Sequence, residues 1–211
     1  MTNRLDHLIY TGPDLDAAIA HFEKLAGLTP GRGGVHPGLG TRNALLSLGD
    51  DHYFELLCPD PDQELEGTHG GLFAKLPAPT LWAYMLKGAD FDRILAVLGK
   101  AGIEADVIDA SRTTPTGDIL TWRLLLPKDN PFGDFVPKFI DWMDSPHPSQ
   151  AATPGCSLIS FEIGHPDAAG LGSLLRDLEA DIRVFGADRP LFLARLQTPN
   201  GEILVTGTPS G

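Results

Sequence analysis

The chain is poor in cysteine and in positive charge, and both shortages narrow what it can be. Only Cys58 and Cys156 occur among 211 residues, and they lack the C-x-x-C spacing of a thiolate metal site. They read as two unpaired thiols of a cytoplasmic protein. Lys and Arg number 16 against 28 Asp and Glu, for a net charge of −12. A surface that negative disfavours nucleic acid and anionic membrane as partners. No apolar run approaches the roughly 20 residues that span a bilayer. Met1-Thr2-Asn3-Arg4 leads straight into a strand, so no signal peptide is expected. No G-x-x-x-x-G-K-S/T loop and no G-x-S-x-G elbow occurs, which argues against a nucleotide phosphate loop and a serine-hydrolase triad. There is no low-complexity tract.

What is present is concentrated near the N-terminus. Residues 5–11 read as a half-buried strand carrying His7, followed by a Gly12-Pro13 turn. Asp14 then sits where a helix cap belongs, with Leu15, Ile19, Phe22 and Leu25 on one helical face. Further on, Tyr53-Phe54-Glu55-Leu56-Leu57 is an apolar strand with one carboxylate in its middle. A charge in such a strand needs a reason. An imidazole and a carboxylate on neighbouring strands make half of a metal site.

The strand-turn-helix opening recurs. Leu81–Lys87 leads into Asp90 and a helix with Phe91, Ile94, Leu95 and Leu98 on one face. Leu158–Ile163 leads through Gly164-His165-Pro166 into Asp167, with Leu171, Leu174, Leu175 and Leu178 following. We read three βαβββ units at 1–60, 80–144 and 156–208, with Pro59–Pro79 and Asp144–Gly155 as connectors. Thr114–Asp118 and Thr198–Gly201 carry the Pro, Gly and Asn of hairpin turns.

His7 and Glu55 in this setting resemble the vicinal oxygen chelate superfamily, the glyoxalase and bleomycin-resistance fold. His36-Pro37-Gly38-Leu39-Gly40-Thr41-Arg42-Asn43 and Pro137-Lys138-Phe139-Ile140-Asp141-Trp142 look more narrowly like its glyoxalase-like domain group. The resemblance implies an α+β fold of repeated βαβββ modules, with curled mixed sheets around a concave pocket and helices outside. It implies a small-molecule enzyme of lyase, isomerase, hydrolytic or oxygenating type. On that account His7 and Glu55 hold a divalent ion (Zn, Mn, Fe, Ni or Mg), and a carboxylate such as Glu55 shuttles the proton. The alternative is a metal-free binding or sequestering protein of the bleomycin-resistance kind. Two modules normally pair, so the odd third covers another sheet or completes a pair through a homodimer.

Aligning the helix starts tests the ion site. His7 lies seven residues before Asp14; the same offset lands on Ala83 and Ser160. At the closing strands Glu55 aligns with Asp141 and Val205. Two paired modules would therefore lack the full ligand set, and His7 with Glu55 also reads as a hydrogen-bonded polar pair beneath a ligand pocket. Gly31–Asn43 holds five glycines in 13 residues. It reads as a pocket-edge loop offering His36 and Asn43 to an oxygen-rich ligand, or as a solvated connector. Arg123 and Asp141 are assigned to substrate, with a structural ion pair as the plainer reading. Trp122 and Arg123 cannot both face a pocket, because side chains alternate along a strand. His21, His52, His69 and His147 are expected to face solvent, His165 to sit in a turn, and Cys58 to lack any activating base.

Overall fold

The computed structural model describes residues 3–49, 51–114 and 117–209. The chain runs β1 (Arg4–Thr11), α1 (Leu15–Ala26), β2 (Gly31–His36), β3 (Thr41–Ser47), β4 (Tyr53–Pro59) and a short α2 (His69–Phe73). It continues with β5 (Thr80–Lys87), α3 (Phe91–Lys100), β6 (Ala105–Thr113), β7 (Ile119–Pro127) and β8 (Lys138–Asp141). Last come β9 (Ser157–His165), α4 (Ala168–Asp177), β10 (Arg183–Gly186), β11 (Leu191–Thr198) and β12 (Gly201–Gly207).

An aspartate starts each of the three longer helices. Asp14 accepts from Ala17 N at 2.7 Å, Asp90 from Arg93 N at 3.1 Å and Asp167 from Gly170 N at 2.9 Å. Each satisfies an amide that the first helical turn leaves free. At the other end of α1, Gly27 takes φ 73° and returns its N–H to Glu23 O, a left-handed cap that suits glycine.

The first eight strands close a barrel in the order β1-β4-β3-β2-β6-β7-β8-β5, with β5 returning to β1. Its halves have the same plan: β1 lies parallel to β4, and β5 parallel to β8. Alternation along the strands separates two apolar regions. Outside, Tyr10, Phe54 and Phe22 of α1 stack with centroids 4.8–6.1 Å apart. Phe22 is fully buried there, a burial that contributes about 1.5–3 kcal/mol. Inside, Ile9, Leu45, Met85, Trp122, Leu124 and Ile140 line the barrel. The fold is thus α+β, with helices outside curled sheets and a concave pocket within.

The third unit keeps the element succession but not the strand order. Its sheet runs β10-β9-β11-β12, whereas each barrel half places its first strand beside its fourth. The third of the three βαβββ units read from the sequence is therefore not superposable on the two barrel halves. Strand order is set by pairing between distant segments, which a local pattern does not encode. This sheet packs on the barrel's outer side: Tyr84 of β5 meets Phe161 at 5.0 Å and Phe192 at 5.7 Å. Added to Gly207 of β12, a Cβ would lie 1.8 Å from Leu81 O, so glycine permits the close approach to β5. Among the described residues, no helix is long and apolar enough to cross a membrane.

Candidate active site

A cavity of about 370 Å³ occupies the barrel interior. His7 from β1 and Glu55 from β4 both line it, with His7 Nε2 3.6 Å from Glu55 Oε2. Strand alternation carries both inward, since His7 and Ile9 share one face of β1, and Tyr53 and Glu55 one face of β4. Glu55 Oε1 accepts a 2.6 Å hydrogen bond from Asn43 Nδ2 on the adjacent β3. Asn43 Oδ1 in turn accepts from Gly34 N at 2.8 Å. Tyr53 lies flat on the His7 ring, with centroids 4.3 Å apart and an interplanar angle of 19°.

Behind His7 sits a group that strand alternation hides. The register between β1 and β5 slips between Leu5 and His7, so Asp6 is the extra residue of a β-bulge. Asp6 is fully buried and accepts from His7 Nδ1 at 2.7 Å, from Trp142 Nε1 at 3.0 Å and from His147 Nε2 at 3.1 Å. Burial alone would raise its pKa; the hydrogen bonds from His147 and His7 outweigh that and hold the carboxyl well below the usual range. Asp6 is therefore ionised, and by accepting from Nδ1 it orients the His7 ring and turns Nε2 toward the cavity. Nε2 and Glu55 Oε2 then face one another, and a shared proton, a ligand hydrogen or a cation between them satisfies both.

His36 lines the cavity with Nδ1 3.1 Å from Thr41 Oγ1. Burial pushes its pKa down despite the nearby Glu55, so it is neutral at pH 7. The glycine-rich stretch around it is a hairpin of β2 and β3 rather than a loop. A Cβ on Gly33 would stand 2.1 Å from Asn43 Oδ1, and one on Gly34 would stand 2.5 Å from Thr113 O. These glycines admit the polar groups of the site. Arg32, by contrast, pairs with Asp16 at the surface.

Arg123 and Asp141, assigned to substrate from the sequence, belong elsewhere. They pair with each other at 2.6 Å and stand outside the cavity lining, Arg123 lying 5.2 Å from the Phe91 ring centroid of α3. The inward positions of β7 and the β8 segment go instead to Trp122, Leu124, Ile140 and Trp142. The counterpart of Glu55 is also not Asp141. Ile9 pairs with Glu55, and its equivalent in the second half, Met85, pairs with Lys138. Lys138 lines the cavity and makes a 2.6 Å ion pair with Asp134. His147, expected at the surface, is buried, and His165 ends β9 in a buried position, with its Nδ1 accepting from Asp167 N. Burial pushes the Cys58 thiol up to about 12, so it is no thiolate nucleophile. Neither Asp6 nor His147 stands out in the sequence as part of the site; only the adjacency of Asp6 to His7 points to either. Arg112 belongs to the Arg and Trp residues of the middle unit that suit stacking and anion binding, and it lines the cavity.

The donor set fits a divalent ion poorly. His7 and Glu55 offer one nitrogen and one oxygen, the equivalent second-half positions hold Ala83 and the cation Lys138, and among the described residues no three His, Cys, Asp or Glu gather into a metal-holding group. Four to six donors are needed for a tight site.

The glyoxalase-like domain family matches residues 5–178. The chain belongs to that family. Among solved structures, a hypothetical protein from Staphylococcus aureus aligns with 98% of this chain and 86% of its own, at 20% identity and TM-score 0.65. A Streptomyces coelicolor methylmalonyl-CoA epimerase variant, in complex with 2-nitronate-propionyl-CoA, aligns with 69% of this chain and 98% of its own, at 19% identity and TM-score 0.50. These likenesses speak to the fold. No curated protein matches the chain. The vicinal oxygen chelate fold with its inner cavity marks a small-molecule enzyme or binder.

Proposed function

We propose that this member of the glyoxalase-like family is an acid–base enzyme that moves a proton on a carbon next to a carbonyl, with Glu55 as the base. The observation that carries the reading is the His7 Nε2 to Glu55 Oε2 pair, 3.6 Å apart at the cavity wall, with a buried carboxylate orienting the imidazole. Glu55 takes the C–H proton, and the C–H electrons move into the carbonyl to give an enolate. Delivery of a proton to the opposite face of the same carbon completes an epimerisation; expulsion of a neighbouring leaving group completes an elimination. Asn43 holds the carboxylate in place through Oε1 and leaves Oε2 for the substrate.

A divalent ion between His7 and Glu55 is the second reading, favoured by the Asp6 carboxylate behind the imidazole, an arrangement also found behind metal-bound histidines. The poor donor set counts against it, and no step is assigned to it.

The test is deuterium exchange by NMR in D₂O, over a panel of small ketones, 2-oxo acids and thioesters. The wild-type protein should exchange the α-proton of at least one compound. Glu55→Gln, which keeps an oxygen for Asn43, should lose the exchange while its circular dichroism and melting curve stay near wild type. Exchange that survives in Glu55→Gln would remove the assignment.

A further inference from the structure

The cavity wall carries a buried guanidinium, Arg112, that pairs with no carboxylate among the described residues. Arg112 of β6 lines the cavity and is 6% exposed, yet among the described residues its side chain makes no hydrogen bond and no ion pair. The neighbouring groups are already committed. Asn43 spends its amide on Glu55 and its carbonyl on Gly34, Lys138 is neutralised by Asp134, and His36 bonds Thr41. The guanidinium reaches Gly33 and Gly34 closely: a Cβ on Gly34 would come 3.2 Å from Nη1, and one on Gly33 3.5 Å. An unpaired buried guanidinium is costly unless something supplies the matching charge.

The walls specify the rest of the ligand. All three tryptophans of the chain, Trp82, Trp122 and Trp142, line the same cavity together with Phe73 and Met85. About 370 Å³ is at the low end for small-molecule sites. We infer that the ligand is a compact organic monoanion, an apolar or aromatic body bearing one carboxylate that Arg112 receives as a forked pair of hydrogen bonds. The planar, two-oxygen group matches the fork of the guanidinium, whose donors no carboxylate of the chain takes up. This deepens the proposed function, because it places the anionic end at Arg112 and the reacting carbon toward Glu55.

Binding tests it without any turnover. Quenching of the intrinsic tryptophan fluorescence is followed on titration with phenylacetate, 3-phenylpropanoate and indole-3-acetate, each beside its neutral amide, and with phenyl phosphate. The expected result is saturable binding of at least one acid, roughly tenfold or more tighter than its amide, as a charge-assisted forked contact provides. Arg112→Met should abolish the preference while the amide still binds. Arg112→Lys, which keeps the charge and not the fork, should retain part of it and serves if the methionine variant does not fold. Acid and amide binding alike, no saturable acid, or a preference intact in Arg112→Met each overturns the inference. Phenyl phosphate binding more tightly than every acid reassigns the anion to a phosphate and overturns the carboxylate. Glu55→Gln separates the two claims: it should keep the acid preference while losing exchange. Preference without exchange in the wild type would count against the reaction alone, and exchange without preference against Arg112 alone.

Discussion

His147 donates a 3.1 Å hydrogen bond to Asp6 from 141 residues along the chain. Its other ring nitrogen accepts from Ser149 N, so the network assigns the proton to Nε2. Asp6 thereby ties the end of β1 to the segment after β8 and orients His7 at the same time. Replacing it by Asn puts an amide against three N–H donors. Asp6→Asn should cost about 3 kcal/mol or more, measured by urea unfolding, because breaking a buried charged network leaves its partners unsatisfied.

The same carboxylate gives the protein a defined acid response. The unfolded chain binds a proton at Asp6 near pH 3.9, whereas the folded protein does so well below that. Stability from this group is therefore fully present above about pH 3.9 and is lost as pH falls from there toward the folded value. Melting temperature against pH should decline more steeply below about pH 4 in the wild type than in Asp6→Asn.

Gly33→Ala should damage the site more than the fold. The new Cβ meets Asn43 Oδ1 at 2.1 Å and must push the amide off Glu55. A loss of about 1–3 kcal/mol is expected, as for other overpacked positions, with ligand binding weakened beyond what the melting curve explains.

Arg123→Ala should leave ligand binding and proton exchange at wild-type values. Its pair with Asp141 lies outside the cavity and is partly exposed on the Arg123 side, where ion pairs contribute little. A large loss of binding would place the pair in the site after all.

These outcomes follow from a structure that the sequence discloses unevenly. His7, Glu55, His36 and Asn43 can be found because alternation along apolar strands and a glycine-rich stretch expose their positions. Asp6 cannot, since a one-residue bulge reverses the alternation at that point. His147 reads as a turn residue because nothing local says that Trp142 and Tyr53 will cover it. Lys138 was displaced by Asp141 because the register of β8 depends on its pairing with β5. The β10-β9-β11-β12 order is likewise a matter of distant pairing. Helix caps, being local, are legible throughout.

In the proposed reaction Glu55 acts as a base without a bound divalent ion. This is tested most directly by elemental analysis of protein purified without chelator, together with the α-proton exchange rate before and after chelation. Far less than one ion per chain is expected, with an exchange rate that chelation leaves unchanged. Roughly one ion per chain, with exchange lost on chelation and restored by adding that ion back, would contradict it.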